Sequence, residues 1–221
     1  MTEAKNYSHQ NGWELVENEG DTHNLPQRRV ANAMKKMNDI LVRIDAPTKE
    51  LSQVAEVLEE QIANLEGYGK IRTVDAANRL VKQQGSMQDL FDIYDSDPWI
   101  GRSHPSAPRI DFRREGNKII GETVLGDAFQ GPFRRVHGGI IAGIFDILLA
   151  RSMTMIDRFA VTGKLDIRYM KGTPLYEKLH LEAEVVRDSG RKIIVQGFIS
   201  ADGVKTAEAK GVFIDPSAKS S

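Results

Sequence analysis

The sequence predicts an α+β domain in which an antiparallel β-sheet is wrapped around one long central helix, preceded by a helical extension. Three observations support this fold class. Residues 140–150 are apolar or glycine everywhere except Asp146, so a helix here must be enclosed by its domain. Strand-like segments flank that helix, and their hairpin-length connections impose antiparallel pairing. The region before about residue 96 has helical periodicity instead.

The N-terminal part of the chain divides into a tail and the extension. Residues 1–24 are polar and aperiodic and are expected to be a disordered tail. The helical extension spans residues 25–96, and its first two helices are expected to form an antiparallel hairpin. The predicted helices run from the N-cap Asn24 to the break at Ala46, from Thr48 to Glu66, from Thr73 to about Gln84 and from Ser86 to Tyr94.

The second domain is expected at residues 97–215, after a proline-rich linker, and 216–221 is expected to be a disordered tail. A sheet curled around one buried helix is the hotdog architecture. Tight turns at Asp188-Ser189-Gly190 and Ala201-Asp202-Gly203 separate the last three strands. The predicted elements are a hairpin of strands 109–113 and 118–125, a loop 126–135, the central helix within 136–158, and strands 161–170, 178–187, 191–200 and 204–214.

Composition excludes several classes of function. The formal net charge is −1, and the segment from Pro26 to Asp95 carries ten Lys and Arg against eleven Asp and Glu, so no nucleic-acid partner is expected. The absence of cysteine excludes disulfides, thiolate metal sites and a cysteine nucleophile. No window approaches the ~18 apolar residues of a membrane span, and no leader pattern is present. A cytoplasmic protein is therefore expected.

The central helix carries the residues that indicate chemistry. Asp146 is a carboxylate in an apolar helix, where it needs either a hydrogen-bonded structural role or a chemical one. Gly138 and Gly139 follow His137 at the helix start and are poor helix formers, each costing about 1 kcal/mol relative to alanine. They leave bare N–H groups at the positive end of the helix dipole, which a ligand can approach closely.

These residues carry a family resemblance. Gly131-Pro132, then Val136-His137-Gly138-Gly139, with Asp146 nine positions after the histidine, resembles the PaaI-like branch of the hotdog acyl-CoA thioesterases. The segment Thr162–Tyr169 and Pro174 are similar to that family's third strand and its exit. The resemblance covers roughly residues 99–214 and leaves the helical extension outside.

The resemblance implies hydrolysis of an acyl-CoA thioester, with no metal and no cofactor, since CoA is part of the substrate. It implies that Asp146 is the general base or nucleophile, that the Gly139 N–H binds the thioester carbonyl, that His137 shapes this site and that Thr162 holds the attacking water. A carboxylate among apolar side chains suits proton acceptance, and a helix-start N–H suits the developing oxyanion. Further substrate-binding candidates are Gly138 and, for the CoA phosphates, Arg134, Arg135, Arg168 and Lys171.

Helix geometry adds a constraint on the assembly. Gly139 and Asp146 are seven residues apart, so they share a face but lie ~10 Å apart along the axis. They cannot both reach one carbonyl unless two helices meet antiparallel across a two-fold axis. A homodimer or homotetramer with sites shared between subunits is expected, with an inactive monomer.

Other functions fit parts of the pattern. The main alternative is a non-catalytic acyl-CoA-binding sensor or regulator with a hotdog ligand domain, which the helix count permits and the charge of the extension does not favour. A hotdog dehydratase needs its own paired histidine and acidic residue, which are not found. Asp146 alone is equally consistent with a structural carboxylate. For the extension we expect a packing or lid role, or an oligomer contact through Val54, Leu58 and Ile62.

Overall fold

The computed structural model describes residues 25–69 and 95–218. Within this part of the chain lie helices α1 Leu25–Leu41, α2 Thr48–Glu66 and α3 Gly138–Arg151. The strands are β1 Asp111–Glu115, β2 Lys118–Val124, β3 Gln130–Gly131, β4 Arg135–Val136, β5 Val161–Tyr169, β6 Lys178–Ser189, β7 Lys192–Ala201 and β8 Val204–Ile214. The predictions for residues 1–24, 73–84, 86–94 and 219–221 lie outside the described residues.

Six strands form one antiparallel sheet in the order β1-β2-β6-β7-β8-β5, and β3 pairs with β4 in a separate short ladder. The turn between β7 and β8 places both Asp202 and Gly203 at positive φ, 47° and 71°. Such a two-residue turn has the twist that an antiparallel hairpin requires. The bounds of β8 are those predicted, and the other main strands differ from prediction by one or two residues at their ends. The predicted fold class, a sheet around a central helix, is confirmed.

Helix α3 packs one face on the sheet. Its buried residues are Ile141, Ile144, Phe145, Leu148 and Leu149. Two sheet glycines allow the close approach, because a Cβ at Gly197 or Gly211 would lie 3.0 Å from a methyl carbon of Leu149. The regular helix ends at Arg151 and continues as a 3₁₀ turn over Ser152–Met155, so it stops before the predicted limit at residue 158.

The opposite face of α3 is only half-buried, which corrects the expectation of a helix enclosed on all sides. Trp99 from the linker covers part of it, because a Cβ at Gly143 would overlap the indole ring. Asp146 lies on the half-buried face and not in the core. This position removes the cost of full burial and leaves the carboxylate within reach of a ligand.

One stretch of the described residues meets the length and composition of a membrane span. The window Gly138–Met155 has a mean hydropathy of 1.4 over 18 residues. This value corrects the expectation that no window approaches the apolar composition of a membrane span. In the structure 39% of this window is buried within the domain. An apolar core helix passes the same composition test because it packs against other apolar residues.

Helix α1 is attached to the sheet domain by polar bonds. The guanidinium of Arg28 donates to both carboxylate oxygens of Asp95, at 3.2 and 3.3 Å. The amide of Asn38 donates to the Pro105 carbonyl at 3.3 Å, and Asp39 Oδ1 accepts from a backbone N–H at 3.2 Å. These bonds fix α1 against the segment that leads to the start of α3.

Helix α2 does not pack as expected. Every residue of Thr48–Glu66 is exposed, including Val54, Leu58 and Ile62. The antiparallel packing predicted for the first two helices is therefore not formed, because the apolar face of α2 buries nothing against α1. An apolar helix face of this kind requires a partner to contribute to stability. The expected oligomer contact through these residues stays a prediction.

Candidate active site

The segment before α3 is shaped by a short ladder and two 3₁₀ turns, where the sequence predicted only a loop. Phe133 and Arg134 have left-handed backbone conformations, with φ of 59° and 55°. Such conformations are costly for residues with side chains and persist where surrounding structure imposes them. Two backbone bonds fix the following residues: Val136 N–H donates to Thr173 O, and His137 N–H donates to Phe129 O, both at 2.9 Å.

His137 caps the N-terminus of α3. Its Nδ1 accepts a hydrogen bond from the Gly139 N–H at 3.0 Å. An accepting Nδ1 places the proton of the neutral imidazole on Nε2, an assignment that follows from this bond. His137 itself is exposed. The N–H assigned to the thioester carbonyl by the resemblance therefore already has a partner, which a carbonyl at that position would have to replace.

Tyr169 at the end of β5 holds the same peptide group from its other side. Its hydroxyl donates to the Gly138 carbonyl at 2.9 Å. The Gly138 carbonyl and the Gly139 N–H belong to one planar unit, so Tyr169 and His137 together fix its orientation. The sequence analysis placed Tyr169 in a strand and gave it no role, because only the pairing of β5 beside the helix start brings its hydroxyl there.

The first N–H of the helix is left available. In the part of the chain that the structure describes, the Gly138 N–H makes no hydrogen bond. The next three N–H groups all donate to His137: that of Gly139 to the imidazole, and those of Ile140 and Ile141 to the backbone carbonyl. A free N–H at the start of a helix is an anion-binding group. Gly138 is thus placed to meet a ligand oxygen.

Asp146 and Thr162, both predicted from the sequence, come together in the structure. The Thr162 hydroxyl donates to Asp146 Oδ1 at 2.8 Å. Thr162 lies near the start of β5, at a β-bulge where the pairing with β8 shifts between Thr162 and Lys164. The bulged residue is Gly163, and bulges of this kind redirect neighbouring side chains. The hydrogen bond orients the carboxylate and leaves its second oxygen, Oδ2, for another partner.

The cationic candidates separate into two groups. Arg135 lies beside the segment 170–174, since it bridges to Pro174 and a Cβ at Gly172 would lie 3.0 Å from its Cγ. Arg134 and Lys171, the chain neighbours of Arg135 and Gly172, are exposed, so the two segments that meet here carry three cations. Arg168 lies apart, because it pairs with Glu208 at 3.6 Å on the face of β5 opposite Tyr169. A surface concavity of about 600 Å³ includes Arg168 and carries residues of both charges.

The two predicted halves of the site lie at different positions along α3. Gly138 and Gly139 begin the helix, and Asp146 follows two turns later, as its spacing required. Strand β5 is at the edge of the sheet, and its second side pairs with no strand in the described ranges. Among the same residues, no cluster of three His, Asp or Glu side chains is arranged to hold a metal ion.

Comparison with known proteins identifies similar structures. No family model matches the chain. A crystal structure described as that of a thioesterase superfamily protein has a TM-score of 0.73 and 28% sequence identity, over 85% of this chain and 94% of that chain. This coverage is larger than the share of the chain that the sheet domain occupies. The prediction of a hotdog protein of this superfamily is confirmed.

Two further structures are similar over about half of this chain. The protein smu.793 of Streptococcus mutans bound to acetyl-CoA is 20% identical and covers 51% of this chain and 92% of its own, with a TM-score of 0.47. A phenylacetic acid degradation-related protein of Ralstonia eutropha is 21% identical and covers 49% of this chain and 92% of its own, with a TM-score of 0.45.

Proposed function

We propose that this chain, a hotdog protein of the thioesterase superfamily, hydrolyses acyl-CoA thioesters to a free acid and CoA. The observation that carries this proposal is the hydrogen bond from Thr162 to Asp146, which orients a carboxylate on the accessible face of the central helix. A structural carboxylate would be expected to have its oxygens satisfied by several donors, as Asp215 has. Among the described residues Asp146 has one hydrogen-bond partner, Thr162, and one oxygen is left for water.

Asp146 acts as the general base in this proposal. Its Oδ2 takes a proton from a water molecule, whose oxygen attacks the thioester carbonyl carbon. The tetrahedral intermediate collapses as the carbon–sulfur bond breaks, and the proton held by Asp146 is returned to the leaving sulfur of CoA. The Thr162 hydroxyl fixes the carboxylate, and through it the direction of attack. No cofactor takes part in these steps.

The oxyanion requires a donor at the helix start. The resemblance assigned this role to the Gly139 N–H, which in this structure donates to the His137 imidazole. The Gly138 N–H is the better-supported donor, because it begins the helix without an internal partner in the described part of the chain. His137 and Tyr169 are then positioning residues that hold the next peptide group. A backbone donor of this kind stabilises an oxyanion by ~3–4 kcal/mol.

A two-fold assembly would bring the halves of the site together. One helix cannot place its first N–H and Asp146 on the same carbonyl, since they lie more than ~10 Å apart along the axis. The free edge of β5 is a surface on which a second copy could extend the sheet, and Val161 and Tyr169 there are about half exposed, at 48% and 52%. We infer a homodimer in which each site takes its N–H from one chain and its carboxylate from the other.

The cations around the helix start suit the phosphates of CoA. Arg134, Arg135 and Lys171 are exposed at this end of the site, and guanidinium groups bind phosphate oxygens bidentately. Arg168 is left out of this proposal because its side chain is on the opposite face of β5, paired with Glu208.

The test is release of free CoA from short, medium, long and aryl acyl-CoAs, with wild type beside Asp146→Asn and Asp166→Asn. Asp166 is the matched control, an exposed aspartate of β5 that pairs with Lys164. We expect turnover of at least one substrate, a loss of about 10²–10⁴-fold in Asp146→Asn, and little change in the control. Tight acyl-CoA binding without turnover in all three proteins would instead indicate the sensor.

A further inference from the structure

A second cavity lies between the helical extension and the sheet domain, away from the carboxylate of Asp146. Its volume is about 370 Å³, within the range of small-molecule sites. Helix α1 and the residue after it form one wall, and the linker and the 3₁₀ turn before β3 form the other. The lining residues are Lys35, Asn38, Leu41, Val42, Pro105, Ser106, Ala128 and Phe129.

Lys35 is the unusual residue of this cavity. Its side chain is only 5% exposed, and among the described residues its ammonium group makes no hydrogen bond or ion pair. Lysine is almost never fully buried without a partner, because removing an ammonium group from water is costly. An unpartnered ammonium on the wall of a cavity is the arrangement expected when a bound anion supplies the missing acceptor.

The charges around Lys35 also favour an anion. Asp95, the carboxylate that acts on it most strongly, is already bound by the guanidinium of Arg28 and by the Ser103 hydroxyl. Arg109, which pairs with Asp111 at 3.6 Å, adds a positive charge nearby. The carboxylate that attracts Lys35 is thus already paired with another cation, Arg28. Burial lowers the pKa of Lys35 to about 8, so the amine still carries its proton for most of the time at neutral pH.

The remaining lining residues determine the shape and chemistry of the ligand. Leu41, Val42 and Phe129 give apolar surface, and the Asn38 amide is the other polar side chain of the α1 wall. Leu41 and Val42 are partly exposed, at 46% and 60%, so the cavity opens on their side. A ligand with one charged end and an apolar body would place its charge inward on Lys35 and its body toward this opening.

We propose that this cavity binds a small organic carboxylate with an apolar tail, whose carboxylate pairs with the Lys35 ammonium. The ligand would lie against Phe129, whose carbonyl accepts the hydrogen bond of the His137 N–H at 2.9 Å. It would also lie against Ala128, whose N–H donates to Asp39 of α1. Occupancy therefore contacts the segment that positions the helix start, and it does so without contact with Asp146.

The experiment is calorimetric titration of octanoate into the full chain at pH 7, with octan-1-ol as the uncharged probe. Wild type is compared with Lys35→Met, which keeps the apolar length of the side chain, and with Lys36→Met, its exposed neighbour on α1. We expect octanoate to bind wild type and Lys36→Met equally, and at least tenfold more weakly to Lys35→Met. Octan-1-ol is expected to bind at least tenfold more weakly than octanoate.

Several results would overturn the proposal: equal octanoate binding in Lys35→Met and wild type, equal binding of the alcohol and the acid, or no octanoate binding to wild type. Binding at the proposed active site does not imitate the expected result, because both variants keep every residue assigned there. The titration measures no turnover, so this proposal can hold or fail independently of the thioesterase activity. A circular dichroism spectrum and a melting temperature for each variant establish that the variants are folded.

Discussion

The Thr162 hydroxyl donates to Asp146 Oδ1 at 2.8 Å, and this bond connects the edge strand of the sheet to the accessible face of the central helix. The two residues are 16 positions apart in sequence. The helix must end and the chain must return along β5 before they can meet. Their pairing is the structural basis of the first prediction.

We predict that Thr162→Val lowers kcat by about tenfold, whereas Thr162→Ser keeps most of it. Valine has nearly the shape of threonine but donates no hydrogen bond, and a hydrogen bond to a charged group contributes roughly 1.5–3 kcal/mol. The measurement is the rate of CoA release at saturating substrate. Equal rates in Thr162→Val and wild type would show that the hydroxyl does not orient the base.

Tyr169→Phe is predicted to lower kcat by about fivefold with little change in KM. The variant removes the hydroxyl that donates to the Gly138 carbonyl, and a bond of this kind contributes about 1 kcal/mol. The ring remains to pack beside the helix start. A merely structural role would lower the melting temperature and leave kcat of the folded enzyme unchanged, so both quantities are measured.

Gly138→Pro is predicted to lower kcat by about 10²–10³-fold in a folded protein, which is the usual effect of removing one oxyanion donor. Proline lacks the N–H and is favoured at the first position of a helix. The preceding residue already suits it, since His137 has φ −63° and ψ 136°. Full activity in this variant would indicate that the oxyanion donor is the Gly139 N–H and not the Gly138 N–H.

Mixing two inactive variants tests the shared site. Asp146→Asn and Gly138→Pro are unfolded together in equal amounts and refolded. Half of the dimers formed at random are mixed, and each contains one intact site, so about a quarter of wild-type activity is expected. Each variant refolded alone is the control. No recovery, with mixed dimers shown by mass spectrometry, would place both groups of a site in one chain.

Lys35→Met is predicted to stabilise the protein at pH 7 by roughly 2–3 kcal/mol, because the buried ammonium is costly. Burial lowers the pKa of Lys35 from 10.5 to about 8, so between these values the unfolded chain binds more protons than the folded one. The free energy of unfolding of wild type therefore rises with pH through this window, and its difference from that of Lys35→Met becomes smaller. Urea denaturation from pH 7 to 10 measures these free energies. Lys36→Met is the control, and its difference from wild type is expected not to change with pH.

The sequence was sufficient for features that depend on local pattern. The apolar run of α3 and the glycine turns predicted the central helix and the hairpins, and helix spacing placed His137 and Asp146 on one element. The family resemblance named Asp146 and Thr162 as residues of one site, with Thr162 holding the attacking water, and it did not predict the hydrogen bond between them. Its presence in the structure is a finding about two side chains that no local rule connects.

Features that depend on long-range packing were missed. Tyr169 acquires a partner only because β5 lies beside the helix start, and Lys35 is buried only because α1 is bonded to the linker and the turn before β3. The apolar face of α2 predicted packing on α1, yet that face buries nothing there. An amphipathic pattern specifies that a face needs a partner, and it does not specify which surface supplies it.

The bulge at Gly163 makes the catalytic proposal depend on the register of β5 against β8. Side chains alternate across a strand, and Leu165, Ile167 and Tyr169 face the helix, so regular alternation would turn Thr162 to the far side. The extra residue reverses this parity and places Thr162 opposite the inward Phe213. If Gly163 instead paired regularly with Phe213, Thr162 would move one position along β8, and its hydroxyl would point to the outer surface while every residue named as reactive was kept. A shift of one residue in the register of this strand end is thus a route from an enzyme to an inert homologue with an intact motif.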